Sequence, residues 1–135
     1  MPEQDETSTG DTPESRVARA DDALWVDEGG VRLWRGFDPA EVGTQVFLAR
    51  ARCEPGTTIP PHWHTVDTIA YLADGGAIFR TGADLEQVIE MAAGDWLFVK
   101  AGVVHTEETP PDTHCDFLYA RDGRGGTTTY VDDVA

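Results

Sequence analysis

Short apolar segments, separated by turn residues at intervals of about ten positions, make up most of the chain. The segments with the composition of β-strands are residues 45–52, 67–72, 77–81, 87–91, 95–99, 103–108 and 115–120. Glycine, proline and aspartate punctuate the intervals between them, and no segment keeps a helical period over several turns. The pattern therefore predicts an all-β fold, either an antiparallel sandwich or a barrel.

Two local motifs refine this pattern ahead of the first long strand. Residues 24–26 and 31–34 are largely apolar and flank Glu28-Gly29-Gly30, which indicates a β-hairpin. Residues 38–42 predict a single helical turn that follows Asp38 and has Pro39 at its first position. We therefore expect a hairpin and one helical turn before the main sheet.

The apolar content is enough to fill one core. The chain has 135 residues, of which 40% are hydrophobic and 12 are aromatic, and this fits a single domain. The two cysteines form no CxxC or CxxH pair, so we interpret them as small buried hydrophobes rather than as ligands. The residues expected in the core are Tyr71, Trp96, Phe98, Phe117, Tyr119, Cys53 and Cys115.

The first residues differ in composition from the rest. Residues 1–22 are rich in Ser, Thr, Pro, Gly and acid, so we predict a disordered acidic tail there and a barrel domain over residues 23–135. The start lacks the basic and apolar regions of a secretory signal. No run approaches the roughly 18 apolar residues that cross a bilayer. These features predict a cytoplasmic protein.

The charge narrows the range of partners. Twenty-five acidic residues against 10 basic ones give a net charge of −15. Such a surface repels nucleic acids and anionic membranes, so we expect neither as a partner. It also suits a salt-rich cytoplasm, which favours a halophilic source; a high-GC genome is the alternative explanation.

His62 and His64 are the first candidates for chemistry. Side chains alternate faces along a strand, so both imidazoles point to the same side and can converge on one metal ion. An isolated pair of this kind is more often incidental than functional. His105 makes a functional metal site the better interpretation. It follows a strand and a turn, so it can supply a third ligand from a neighbouring strand.

The spacing around these histidines resembles the two sequence motifs of the cupin superfamily. The matching positions are Gly56, His62, His64 and Gly75 in the first motif and Gly94, Gly102 and His105 in the second. The resemblance covers roughly residues 42–122. It extends to small single-domain cupins that share the phrase FRxGxxLE, found here at residues 79–86.

Three positions depart from the motifs. Thr68 occupies the usual glutamate position of the first motif, while Lys100 and Thr109 replace a proline and an asparagine in the second. By strand alternation Thr68 shares a face with the histidine pair, whereas Asp67 points away from it. Three neutral imidazoles without a carboxylate would leave a bound ion with net positive charge and open positions. Such a site favours an anionic or chelating ligand.

The resemblance implies a jelly-roll-like barrel that binds one divalent metal ion through His62, His64 and His105. Imidazole ligands do not select among Fe(II), Zn, Ni and Mn. Similar cupins act as dioxygenases, isomerases, lyases and cyclases. Three histidines without glutamate resemble the cupins that cleave diketones and thiols, so we favour a dioxygenase-type enzyme acting on a small organic acid or carbonyl compound. A metal-dependent isomerase or cyclase and a non-catalytic metal- or metabolite-binding cupin are the alternatives.

Glu107 is the candidate catalytic residue. It shares strand parity with His105, so it can face the metal as a general base or orient a histidine. The alternative is a solvated acid at the end of a strand. The resemblance also implies a homodimer, in which the apolar N-terminal strand around residues 24–26 and 33–34 covers an edge of the partner's sheet.

Overall fold

The computed structural model describes residues 15–22, 25–28 and 30–131, and these form a curled β-structure. Its strands are β1 (Val26–Glu28), β2 (Val31–Trp34), β3 (Phe47–Cys53), β4 (Thr58–His64), β5 (Thr68–Thr81), β6 (Gln87–Ala92), β7 (Trp96–Val99), β8 (His105–Glu108), β9 (Cys115–Arg121) and β10 (Thr128–Tyr130). The helical segments are α1 (Pro39–Val42) and two 3₁₀ turns (Ala20–Asp22 and Gly123–Gly125). The predicted all-β fold is confirmed.

Some sequence-based predictions fall outside the described residues. Residues 1–14 of the predicted disordered tail lie outside the described residues. The same holds for Leu24 and Gly29 of the predicted hairpin and for residues 132–135 of the predicted barrel domain. Within the described part, β1 and β2 pair as an antiparallel hairpin, as the sequence predicts. The helical turn is also confirmed, with Asp38 Oδ1 accepting from Ala40 N at 2.9 Å and Pro39 as its first residue.

The strands are all antiparallel and wrap around a central cavity. Their order is β1-β2-β3-β9-β5-β8-β4-β10, and β6 and β7 pair with opposite halves of β5. The first half of β5 pairs with β9 and β7, and the second half pairs with β8 and β6. β5 therefore belongs to both halves of the barrel and connects them.

The predicted strand boundaries in the region of β5 are wrong. The sequence predicts two strands, over residues 67–72 and 77–81, separated by Asp74-Gly75-Gly76, but one strand of 14 residues runs through this segment. Its register against β9 shifts between Leu72 and Asp74, so the glycines form a corner inside the strand rather than a turn after it. The chain crosses from one half of the barrel to the other at this corner.

The core lies on the inner face of the barrel. Its buried residues include Leu72, Phe79 and Phe117, together with both cysteines, so the prediction that the cysteines are buried hydrophobes is confirmed. The prediction that Trp96 and Phe98 are core residues is wrong. Their exposed fractions are 71% and 60%, because Leu97 and Val99 take the inward positions of β7.

Candidate metal centre

Three histidines from two neighbouring strands meet inside the barrel. His62 and His64 lie on β4, and His105 lies at the start of β8, directly opposite His62 in the strand register. All three are buried, and one ring nitrogen of each lies within 4.8 Å of those of the other two. The structure therefore brings together the three residues that the sequence predicts as metal ligands.

The prolines before His62 help to place this ring. Pro60 and Pro61 lie inside β4, where the pairing with β8 is irregular, so their missing N–H groups interrupt no regular ladder. Their carbonyls still accept hydrogen bonds, from His62 Nδ1 at 2.8 Å and from Val131 N at 2.9 Å. β4 is not an edge strand, because it lies between β8 and β10.

Hydrogen bonds fix the tautomer of each imidazole. His62 Nδ1 and His105 Nδ1 donate to the carbonyls of Pro60 and Val103, at 2.8 and 2.9 Å. A carbonyl only accepts, so in these two rings the proton is on Nδ1 and the Nε2 lone pair is free. His64 reaches the same state, because Arg121 Nη2 donates to its Nε2 at 3.1 Å while its Nδ1 bonds Thr128 Oγ1 at 2.9 Å.

Burial keeps the three rings neutral. Desolvation is the main cause that lowers the pKa of His62 and of His105. For His64, burial and then the charge of Arg121 lower the pKa to about 3. Neutral imidazoles with inward lone pairs are the form that binds a divalent cation, so this donor set fits one metal ion.

β10 completes the site and was missed in the sequence analysis. Thr128 supplies the hydroxyl that bonds His64 Nδ1, and the ring of Tyr130 lies 5.5 Å from that of His62. On the other side of the cluster, Phe79 stacks on His105 at 5.1 Å between ring centroids. The run of β-branched and aromatic residues at 127–131 was the available signal for this strand.

Thr68 and Asp67 lie as strand alternation predicts. Thr68 is buried and lines the cavity, where its Oγ1 accepts from Arg121 Nε at 2.9 Å. Asp67 is exposed, and its Oδ1 accepts from Ala101 N at 2.8 Å. No carboxylate therefore occupies the position of the motif glutamate beside the histidines.

Arg121 is a functional candidate that the sequence analysis missed. It ends β9 and contacts both Thr68 and His64, and its guanidinium lies 4.7 Å from the centre of the Tyr119 ring. Its burial lowers its pKa, although arginine keeps its charge in proteins. Strand alternation was the available sequence signal. Arg121 lies two and four residues after Tyr119 and Phe117, so it shares their strand face, and both of these residues also line the cavity.

Glu107 lines the cavity rather than the outer surface of the barrel. Burial raises the pKa of its carboxyl, although electrostatic interaction with His62 and with the charged Arg121 opposes this shift. Its neighbour Glu108 also lines the cavity, but its carboxylate accepts from Arg80 Nε at 2.9 Å. Of the two acids, Glu107 is therefore the one placed to hold or accept a proton beside the histidines.

The cavity has a volume of about 760 Å³ and is mixed in character. The polar groups gather at the histidines, Thr68, Arg121 and Glu107. The wall also includes the charged residues Arg35, Glu108 and Arg124. Its apolar residues include Val31, Leu33, Ala51, Ala77, Leu97, Val99 and Phe117. A space of this size and lining accommodates a small organic molecule with an apolar body and a polar end.

Other cysteine, arginine and histidine side chains have structural partners as well. Cys53 and Cys115 face each other across β3 and β9, and the hydrogen bond between them lowers the pKa of Cys53 and raises that of Cys115. Arg50 and Arg52 both pair with the buried Asp116, at 2.8 and 3.0 Å. His114 lies outside the site, where its Nε2 is 2.8 Å from Asp74 Oδ2.

Comparisons with known proteins agree with this architecture. A family model described as a cupin domain matches residues 49–121. The polyketide cyclase RemF from Streptomyces resistomycificus has a TM-score of 0.74 and 20% sequence identity, over 87% of this chain and 85% of that chain. The oxalate decarboxylase of Lactobacillus farciminis, in a formate complex, has a TM-score of 0.70 and 19% identity, over 82% of this chain and 34% of that chain.

A variant of the Bacillus subtilis oxalate decarboxylase gives similar values, with a TM-score of 0.70 and 18% identity over 84% of this chain and 31% of that chain. The present chain thus spans about a third of the length of these decarboxylases. At such identities the likeness shows the fold alone. No curated protein sequence matches the chain significantly. No helix among the described residues is long and apolar enough to cross a membrane.

Proposed function

Because this chain belongs to the cupin domain family, we propose that its cavity holds one divalent metal ion on His62, His64 and His105. The observation that carries the proposal is the convergence of three buried, neutral imidazoles, each with its Nδ1 nitrogen hydrogen-bonded elsewhere. When bound, the ion supplies Lewis-acid or redox chemistry. Three imidazole ligands do not select among Fe(II), Zn, Ni and Mn, and elemental analysis identifies the bound metal.

The protein is proposed to be an enzyme of dioxygenase type that acts on a small organic acid or carbonyl compound. A neutral set of three histidines leaves positions for both a chelating substrate and dioxygen. The apolar wall excludes water from the body of the substrate, and the polar groups at the histidine end orient its oxygen atoms. A small-molecule ligand is the partner that this cavity fits.

A second candidate is a metal-dependent isomerase or cyclase, and Glu107 is the observation that favours it. This carboxyl lies in the cavity, and burial moves its pKa upward, toward the range in which it accepts and returns a proton near neutral pH. In this mechanism Glu107 removes a proton next to a carbonyl group and later returns it. In a dioxygenase the same group orients the substrate.

Metal content tests the proposal directly. Protein purified without a histidine tag is expected to contain about one metal ion per chain by elemental analysis, and His62→Ala and His105→Ala are expected to lose it. His114→Ala is the matched control, because this histidine lies outside the cavity and should leave the metal content unchanged. Full metal content in the His62→Ala and His105→Ala proteins would overturn the proposal.

Two assays separate the reaction types. Oxygen uptake by the Fe(II) form with diketones, catechols or thiols supports the dioxygenase. Exchange of substrate C–H for deuterium in D₂O, without oxygen uptake and lost in Glu107→Gln, supports the isomerase or cyclase. Saturable binding of these compounds with neither reaction supports a non-catalytic metal- or metabolite-binding cupin.

The protein is also proposed to form a homodimer. Large apolar side chains stand exposed on the adjacent strands β3, β9, β5 and β7 of one barrel half, and we call this surface the outer apolar face. Its members are Leu48, Ile69, Trp96, Phe98 and Leu118. A second copy of the chain would remove this surface from water.

A further inference from the structure

Arg121 is the one arginine of the cavity wall that is held against the histidine cluster. Its Nε donates to Thr68 Oγ1 at 2.9 Å, and its Nη2 donates to His64 Nε2 at 3.1 Å. Both acceptors are neutral groups. Among the residues that the structure describes, no carboxylate forms an ion pair with this guanidinium.

Arg121 differs in this from Arg50 and Arg52, which pair with Asp116, and from Arg80, which pairs with Glu108. Burial also lowers the pKa of Arg121, so its charge is partly removed from water. A charge taken out of water is destabilising unless an opposite charge lies beside it, and Glu107 acts on Arg121 through space without an ion pair between the two side chains. The cavity therefore holds a positive group whose natural complement is an anion, and this complement fits in the cavity.

We propose that Arg121 and Thr68 form a carboxylate-binding subsite beside the three histidines. The inference rests on the proposed function, because it places the anionic end of the ligand next to the metal. Thr68 holds Nε and so fixes the plane of the guanidinium, and the Nη groups face the ligand. A planar fork of N–H donors matches a carboxylate in two parallel hydrogen bonds.

His64 couples the subsite to the metal. Its Nε2 has a single lone pair, which accepts either the Arg121 N–H or a metal ion, but not both. When the metal takes this lone pair, Arg121 Nη2 loses its acceptor and also faces a second positive charge. A carboxylate accepts the hydrogen bond of Arg121 Nη2 and also neutralises the added positive charge. The metal and the carboxylate therefore strengthen each other's binding, whereas the metal and the unliganded guanidinium compete for His64.

The shape of the cavity sets the class of ligand. Much of the wall beyond the histidines is apolar, including Leu33, Leu97 and Phe117, and the cavity of about 760 Å³ has room for a ring. The subsite is therefore expected to prefer a carboxylic acid with an apolar or aromatic body over a short, fully polar acid. Benzoate is a suitable probe, and benzamide is its neutral counterpart of nearly equal shape.

The test uses calorimetric titration of the full chain, with Co(II) as the metal and benzoate as the carboxylate. Arg121→Gln is expected to change the two affinities in opposite directions. Co(II) should bind about tenfold more tightly, because the competing cation is gone, and benzoate should bind at least about tenfold more weakly to the Co(II)-loaded protein. Benzamide should bind equally to both proteins.

Arg32→Gln is the matched control, because Arg32 Nε lies 3.7 Å from Oδ1 of the exposed Asp27 and neither residue lines the cavity. It should reproduce the wild-type affinities. Thr68→Val is a milder variant in case Arg121→Gln fails to fold. It removes the acceptor that orients Nε, so benzoate affinity should fall several-fold while Co(II) affinity stays within about twofold.

The outcomes separate this inference from the proposed function. Co(II) binding that requires the histidines, together with benzoate binding that is absent or unaffected by Arg121→Gln, overturns the subsite alone. Histidine-independent Co(II) binding with benzoate binding that requires Arg121 overturns the metal site and leaves the subsite standing. An unchanged Co(II) affinity in Arg121→Gln contradicts the competition at His64.

Discussion

Each imidazole of the cluster has one nitrogen bonded to the protein framework and the other turned inward. For His62 and His105 the partner is a backbone carbonyl two residues earlier in the chain, so the strand itself sets the ring orientation. For His64 the partner is a threonine of another strand. Rings that are already oriented lose little freedom when they bind a ligand, which favours affinity at this site.

The same burial predicts a pH dependence of stability. In metal-free protein His64 has a pKa of about 3, whereas in the unfolded chain the pKa of histidine is about 6.5. Below about pH 6.5 the unfolded chain binds a proton that the folded protein does not, so the free energy of unfolding falls with pH. By pH 5 the loss for this residue is about 2 kcal/mol.

Urea titrations at pH 7.5 and pH 5 measure this effect in protein treated with a chelator. His64→Gln is the comparison, because its side chain is polar and does not titrate. The free energy of unfolding should decrease less in this variant than in the wild type over the same pH interval. Equal decreases in the two proteins would show that His64 takes up its proton without unfolding.

At the scale of elements, β5 connects the two halves of the barrel through its corner at Gly75. This residue has a φ of +81°, and a Cβ atom there would collide with the carbonyl of His114. The final glycine of the first cupin motif is therefore needed both for its backbone conformation and for the close approach of a neighbouring chain segment.

Gly75→Ala is expected to destabilise the protein by at least about 2 kcal/mol, because the collision adds to the cost of the left-handed conformation. Gly76→Ala is the matched control. Gly76 has no positive φ, and its added Cβ would meet only ordinary contacts at 3.4 to 3.6 Å. Thermal unfolding of the two variants measures the difference, and equal melting temperatures would contradict this account of the corner.

For the whole molecule, the polar groups of the candidate site lie together inside the barrel, whereas part of the outer surface is apolar and faces water. Trp96 and Phe98 of the outer apolar face are 71% and 60% exposed. The net charge of −15 opposes self-association, so contact between two copies should strengthen as salt screens this repulsion.

Light scattering is expected to show twice the chain mass of 14.7 kDa. Replacing both Trp96 and Phe98 by serine should shift the protein toward monomer, because these side chains supply the largest exposed apolar area of the face. Val88→Ser is the control, since Val88 is 49% exposed but lies on β6. A wild-type monomer in both low and high salt would contradict the homodimer.

The sequence by itself determined the class of fold and indicated which three histidines lie together. Strand alternation and glycine punctuation are local properties, and so is the HxH spacing that puts His62 and His64 on one face. Strand alternation also correctly predicted that Thr68 faces the histidines and that Asp67 points away from them. The motif spacing then associated His105 with the pair, and the structure places it opposite His62.

Only the tertiary structure decided what surrounds these histidines. Arg121 and Thr128 reach His64 from positions 57 and 64 residues away in the chain, and no local pattern links residues that far apart. The alternation of β7 allowed either face to be buried, because all four of its residues are apolar, and strand pairing placed Trp96 outside. Pairing between distant strands, which depends on the whole chain, thus set the polar neighbours and the electrostatics of the site.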